Sequence, residues 1–107
     1  MVGLFKKSPE QIEKKKAQLK KKELNKLFKE KKYDKVLRLG SEILEKLPND
    51  HDVLFILGGI YYMKNKHKTA INYFDKSLEI AEFDTQVLIL KGNSHYSLGQ
   101  LKKAIDC

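Results

Sequence analysis

Three histidines, one cysteine and a run of lysines are the side chains through which this chain could bind a metal, attack a substrate or hold an anion. His51, His67 and His95 are too scattered along the sequence to predict a metal site together, so we interpret them as structural. Cys107 is the single cysteine, which rules out an intrachain disulfide and indicates a reducing, cytoplasmic setting. The sequence has no P-loop, Rossmann glycine fingerprint or nucleophile elbow. We therefore expect no enzymatic activity and no cofactor.

The positive charge is concentrated at one end of the chain. The formal net charge is +8, and residues 1–35 account for all of it, since residues 36–107 carry equal numbers of basic and acidic groups. Such an asymmetry can mark a surface for nucleic acid, an anionic membrane or an acidic protein, although lysine-rich helix faces are more often simply solvated. No apolar run is long enough to span a membrane.

The order of apolar and helix-breaking residues predicts an all-α fold. Ser8, Pro9 and Gln11 form a capping signature, so a helix should begin at Pro9, after a flexible basic N-terminus at residues 1–8. Asp50 and Asp84 are well placed to cap later helices. The predicted helices span 9–30, 33–47, 51–64, 67–81 and 85–98, with a sixth beginning near residue 100.

The chain also matches itself at an offset of 34 residues. The matched pairs are Asp50 with Asp84, Leu54 with Leu88, Gly58 with Gly92, Asn65 with Gly99, and Ala70 with Ala104. Each pair predicts a role: Gly58 and Gly92 should let a neighbouring helix approach, and Asn65 and Gly99 should form the inter-helix turn in a left-handed conformation. Within one repeat, the pattern residues are Leu54, Leu57, Gly58, Tyr61, Ala70 and Phe74.

With these residues the chain resembles the tetratricopeptide repeat (TPR) family. The resemblance implies a right-handed superhelix, or α-solenoid, of antiparallel helix pairs. It divides a helical domain at residues 9–107 into repeats at 17–50, 51–84 and an incomplete 85–107. The first repeat is degenerate, since Gly40 stands where an aromatic residue is usual. Because the third repeat is incomplete, we expect either a longer protein or an end that another chain covers.

In proteins that this chain resembles, the first helix of each repeat lines a concave groove. The resemblance therefore implies a protein-interaction scaffold that binds a peptide or helix there, its partner having apolar anchors and acidic residues. A second copy of the chain is another possible occupant. The implied groove residues are Lys21, Asn25, Phe28, Lys29, Phe55, Gly59, Tyr62, Met63, Ile89, Asn93 and Tyr96.

The alternative is that the lysine-rich first helix binds nucleic acid or another anionic surface. Phosphate contacts from the lysines between residues 14 and 32 would provide the affinity. Against nucleic acid, the lysines are interleaved with one aromatic residue, Phe28, and arginine is nearly absent. Nucleic acid is therefore the weaker of the two hypotheses.

Overall fold

The computed structural model describes the backbone of residues 9–106, and the side chains of that range except those of Lys103, Ala104 and Asp106. All regular secondary structure in this range is α-helical, which confirms the predicted class. The helices form two compact units that divide between Pro48 and Asn49. The predicted flexible segment at 1–8, its capping residue Ser8, and Cys107 lie outside the described residues.

The first unit is a pair of helices. They are α1, Pro9–Lys29, and α2, Tyr33–Lys46, which pack against each other. The first begins at Pro9 as predicted. Their shared interior is small, with Ala17 and Leu24 buried on α1 and Val36 and Ile43 buried on α2.

A tight turn of three residues reverses the chain between these helices. Lys31 adopts a left-handed conformation with φ of 61°. Its N–H donates to the carbonyl of Phe28, and the N–H of Lys32 donates to that of Leu27, both at 3.0 Å. This pattern is a Schellman motif, which satisfies carbonyls at the helix end that would otherwise lack partners.

The second unit contains three helices. They are α3, His51–Met63, α4, His67–Ile80, and α5, Thr85–Asp106, of which α3 packs on α4 and α4 packs on α5. Ala70, Phe74 and Val87 form a fully buried cluster. The residues packed around that cluster are Phe55, Tyr61, Tyr62, Leu78 and Leu90. Among the described residues, none of the helices is both long enough and apolar enough to cross a membrane.

The predicted period of 34 residues is present in the backbone itself. Asn65 has φ of 63° and repeats the turn of Lys31, with hydrogen bonds from its own N–H to Tyr62 and from Lys66 to Tyr61. The caps repeat as well. At the start of α3 the Asp50 carboxylate accepts from the N–H of Val53 at 3.1 Å, and 34 residues later, at the start of α5, the Asp84 carboxylate accepts from the N–H of Val87 at 3.2 Å. The predicted caps and the predicted left-handed turn at Asn65 are therefore confirmed.

The third repeat departs from the prediction. No helix ends at Leu98, and no sixth helix begins near Gln100; instead α5 continues through Gly99 to Asp106. Gly99 does not have a positive φ, so it does not copy Asn65. Glycine in a helix interior costs about 1 kcal/mol relative to alanine. Continuing α5 through Gly99 avoids the cost of nucleating a separate helix.

Gly58 lies at a close contact between α3 and α4. A Cβ atom built on Gly58 would lie 2.6 Å from Cε1 and 2.8 Å from Cδ1 of Phe74, whose ring is fully buried. Its equivalent, Gly92, has no atom within 4 Å of a Cβ position, because none of the described residues packs on that side of α5. The expected close approach is thus present at Gly58 and absent at Gly92.

The degenerate first repeat exchanges large and small residues between its two helices. Leu24 occupies the position equivalent to Gly58, and Gly40 occupies the position equivalent to Phe74. Leu24 and Gly40 are both buried. A glycine in the aromatic slot is therefore accompanied by a larger residue in the glycine slot, which partly conserves interior volume.

The adjacent glycines of α3 provide a matched test of this packing. Gly58→Ala should lower the free energy of unfolding by about 1–3 kcal/mol, because the methyl group overpacks a buried ring. Gly59→Ala should raise it by about 0.5–1 kcal/mol, since its Cβ meets nothing within 4 Å and alanine favours helix. Urea denaturation measures both. Equal effects at the two positions would contradict the predicted contact.

Candidate peptide-binding surface

Two of the predicted groove residues, Phe55 and Ile89, line one small apolar pocket. The pocket has a volume of about 240 Å³ and is completed by Gln86 and Leu90. Phe55 is half-buried, and the centroid of its ring lies 6.4 Å from that of the buried Phe74 ring. The α3 side of the pocket is therefore continuous with the core. Ile89 has 56% of its surface exposed. Gln86 is the polar group at this pocket, and it could hydrogen-bond to the backbone of a bound chain.

The remaining predicted groove residues of α3 differ in accessibility. Tyr62 is half-buried, packs against the core cluster, and meets the ring of His67 edge-on at 5.3 Å between centroids. Met63 has 51% of its surface exposed, and a Cβ at Gly59 would meet nothing within 4 Å. Tyr62 therefore acts mainly in packing, whereas Met63 and Gly59 are accessible to a ligand.

The predicted residues of α5 separate into two groups. Tyr96 has 70% of its surface exposed and lines a second pocket, of about 360 Å³, rather than the pocket of Ile89. The other residues around that second pocket are Asn65, His67, Ser97, Gln100 and Leu101. Asn93 is exposed. Among the predicted groove residues, Phe55 and Ile89 therefore share a pocket that Tyr96 does not line.

Four of the predicted groove residues belong to the first unit. Asn25 and Lys29 are exposed, whereas Lys21 and Phe28 are half-buried. The ring of Phe28 packs edge-on against Tyr33, with 5.8 Å between centroids. Phe28 therefore helps to attach α1 to the start of α2.

His51 connects all three helices of the second unit. It is the first residue of α3, and its Nε2 lies 2.9 Å from Oδ2 of Asp84, the residue that caps α5. Its Nδ1 lies 2.6 Å from Oγ of Ser77 on α4. Because a carboxylate can only accept, Nε2 donates to Asp84, and in the neutral ring Nδ1 accepts from the Ser77 hydroxyl.

A serine, a histidine and an aspartate in one chain of hydrogen bonds also suggest nucleophilic catalysis. The Ser77 side chain is fully buried, so its hydroxyl cannot reach a substrate. The hydrogen bond from His51 is the main cause that lowers the pKa of Asp84, and the bond from the Val87 N–H lowers it further. This network therefore orders three helix ends, in keeping with the structural role predicted for His51. Among the described residues, no three metal-binding side chains are grouped together.

Lys91 replaces an apolar residue that is usual in the family pattern, and the structure explains how it is accommodated. Its Nζ lies 2.7 Å from Oδ1 of Asp75 on α4. Both side chains are partly exposed, so the pair retains access to water. Sequence spacing did not indicate this pair, because the partners lie on different helices.

Comparison with known proteins identifies the family. Residues 29–107, about three quarters of the chain, match the family described as "Anaphase-promoting complex, cyclosome, subunit 3". The chain belongs to this family. The subunit 3 family is built from TPR-type repeats, which confirms the resemblance drawn from Gly58, Ala70 and Phe74. A comparison with curated proteins found no match.

The Asp84 carboxylate offers a test of the network by acid titration. Because its pKa is lowered in the folded state, its stabilising effect is complete above the unfolded value of about 3.9 and is lost as pH falls through the folded value. Asp84→Asn keeps an oxygen for the Val87 cap but removes the carboxylate. We expect it to lower the melting temperature at neutral pH and to reduce the loss of stability on acidification.

Glu79→Gln is the matched control, since it removes a carboxylate from an exposed position on α4. Melting curves between pH 7 and strongly acidic pH measure both variants. If Glu79→Gln and Asp84→Asn changed the acid dependence equally, the role assigned to His51 and Asp84 would be wrong.

Proposed function

We propose that this chain is a protein-interaction scaffold whose second unit binds an apolar side chain of a partner peptide or helix. The single observation that carries this proposal is the apolar pocket shared by Phe55 on α3 and Ile89 on α5. Family membership supports a protein partner, because the family takes its description from a subunit of a complex, and a subunit contacts other proteins.

The chemistry of the pocket defines what it would accept. Its walls are almost wholly apolar, and its volume of about 240 Å³ suits one aliphatic or aromatic side chain rather than a whole drug-sized molecule. Gln86 supplies a donor and an acceptor beside it, which suits the backbone of an extended peptide. Met63 is exposed and the Cβ position of Gly59 is open, so a ligand could continue along α3. An aliphatic or aromatic anchor is therefore the minimum requirement for a partner.

The test uses a displayed library of short random peptides selected on the full chain. We expect enriched peptides to share an apolar anchor, and Ile89→Gln to weaken their binding about 10-fold or more, which corresponds to about 1.4 kcal/mol. Fluorescence anisotropy measures the affinities. Ile80→Gln is the control, because Ile80 is also exposed but lies on α4 outside the pocket. Equal losses of affinity in the two variants, with native circular dichroism spectra, would exclude this pocket as the peptide-binding site.

A second candidate function, binding to an anionic polymer, is favoured by one face of α1. Lys15, Lys22, Lys26 and Lys29 are exposed and recur at helical spacing, so they lie along one side of the helix. None of the ion pairs among the described residues involves these four lysines. By contrast, Lys20 reaches Glu42 on α2, on another side of α1.

Salt dependence tests this second candidate. A fluorescent single-stranded oligonucleotide should bind at low salt, with a log–log slope of about −3 if all four lysines contact phosphate. Lys22→Gln with Lys26→Gln should reduce that slope by about half, whereas Lys68→Gln with Lys76→Gln on α4 should not. No binding at low salt would end the nucleic-acid hypothesis.

A further inference from the structure

The side of α1 that faces away from α2 carries exposed apolar residues among exposed lysines. Ile12 and Leu19 have 43% and 57% of their surfaces exposed. At 3.6 residues per turn they lie on the side of the helix opposite the buried Ala17 and Leu24. Four exposed lysines share this side, and together the residues form an outer stripe that consists of Ile12, Lys15, Leu19, Lys22, Lys26 and Lys29.

The spacing of the outer stripe is that of a coiled-coil seam. Successive members are separated by alternating steps of three and four residues, which is the spacing of the a and d positions of a heptad repeat. Such a seam runs along one side of a helix, here for about 26 Å from Ile12 to Lys29. A second helix that packs lengthwise on α1 would therefore contact every member of the outer stripe.

The outer stripe is positively charged and has no acidic member. None of the ion pairs among the described residues involves its four lysines. Between Lys15 and Lys29 the only acidic residue is Glu23, which lies at the edge of the stripe. An acidic partner would therefore gain ion pairs here without breaking any of those pairs.

The order of residues along the outer stripe favours a protein partner over nucleic acid. The apolar members are Ile12 and Leu19, whereas every member after Leu19 is a lysine. A phosphate backbone would contact the lysines but leave the two apolar side chains uncovered, since bases stack mainly on aromatic rings and the stripe contains none. An acidic amphipathic helix would use both kinds of residue.

The first unit presents this stripe on a helix that is already formed. Ala17 and Leu24 are buried on the opposite side of α1, which packs against α2. A partner would therefore not have to order α1 on binding, a cost that a disordered basic segment would impose.

We propose that the outer stripe binds an acidic amphipathic helix of a partner protein in an antiparallel orientation. The acidic residues of that helix lie in its N-terminal half, opposite Lys22, Lys26 and Lys29, and its apolar residues lie in its C-terminal half. Acidic residues are most favourable near a helix N-terminus and basic residues near a C-terminus, where α1 has Lys26 and Lys29. The antiparallel orientation therefore suits the dipoles of both helices.

This inference rests on the second candidate function, since both assign an anionic partner to the lysines of α1. It is independent of the apolar pocket of Phe55 and Ile89 on the second unit. A single pair of helices lies at the lower end of specific interfaces, so we expect dissociation in the micromolar range.

Two fluorescent peptides of equal composition, each of about 18 residues, test the partner and its orientation. Both carry glutamates and leucines at the alternating spacing of the stripe, with the glutamates first in one peptide and the leucines first in the other. The full chain should bind the glutamate-first peptide, and should bind the leucine-first peptide about 5-fold more weakly. Fluorescence anisotropy measures both, and a single-stranded oligonucleotide is measured beside them.

Leu19→Gln distinguishes a helix from a phosphate backbone. It should weaken binding of the glutamate-first peptide about 10-fold and leave oligonucleotide binding unchanged, because it removes apolar surface but no charge. Lys22→Gln with Lys26→Gln should weaken binding of either ligand, as should added salt. Ile80→Gln, at an exposed position on α4, is the control for Leu19→Gln and should change neither affinity. Circular dichroism verifies the fold, and Ile12→Gln replaces Leu19→Gln if that variant loses helical content.

The possible outcomes separate this inference from the function on which it rests. Binding of the oligonucleotide but of neither peptide would overturn the inference and leave the second candidate function standing, whereas binding of none of the three would end both. Equal effects of Leu19→Gln and Ile80→Gln on the glutamate-first peptide would show that only charge is recognised, which would also overturn it. Equal affinity for the two peptides would overturn the antiparallel orientation.

Discussion

The packing of the second unit depends on one close contact, between the backbone of a glycine on one helix and an aromatic ring on the next. The backbone of α3 at Gly58 lies so close to α4 that an added methyl group would lie 2.6 Å from the ring of Phe74. Phe74 in turn anchors the cluster with Ala70 and Val87, through which α5 is held. A small residue on one helix thus sets the distance at which the neighbouring helices can pack.

The chain reversals that place these helices are repeated more faithfully than the side chains inside them. Lys31 and Asn65 have different side chains but the same left-handed conformation and the same two backbone hydrogen bonds. The capping aspartates repeat in the same way. Backbone groups at helix ends must find partners in any helical repeat, so these requirements recur even where Leu24 and Gly40 exchange the sizes found at Gly58 and Phe74.

The hydrogen bonds of His51 stabilise the second unit and also position the candidate pocket. By joining Ser77 and Asp84, this residue links the start of α3 to α4 and to the first turn of α5. Phe55 lies one turn after His51, and Gln86 lies two residues after Asp84. The same hydrogen bonds therefore fix the distance between the α3 side and the α5 side of the pocket. Both sides of the candidate site therefore rest on ordered elements rather than on loops.

The sequence alone determined the helical class, the first residue of each of the five helices, the last residue of four of them to within one residue, the 34-residue period and the capping roles of Asp50 and Asp84. These features are local, because capping and left-handed turns involve residues close together in the chain. Tertiary structure decided the rest. It placed Phe55 and Ile89 at one pocket and Tyr96 at another, joined Lys91 to Asp75, and kept Gly99 helical. Each of these outcomes depends on what packs against a helix, and a repeat pattern cannot reveal whether that neighbour is present.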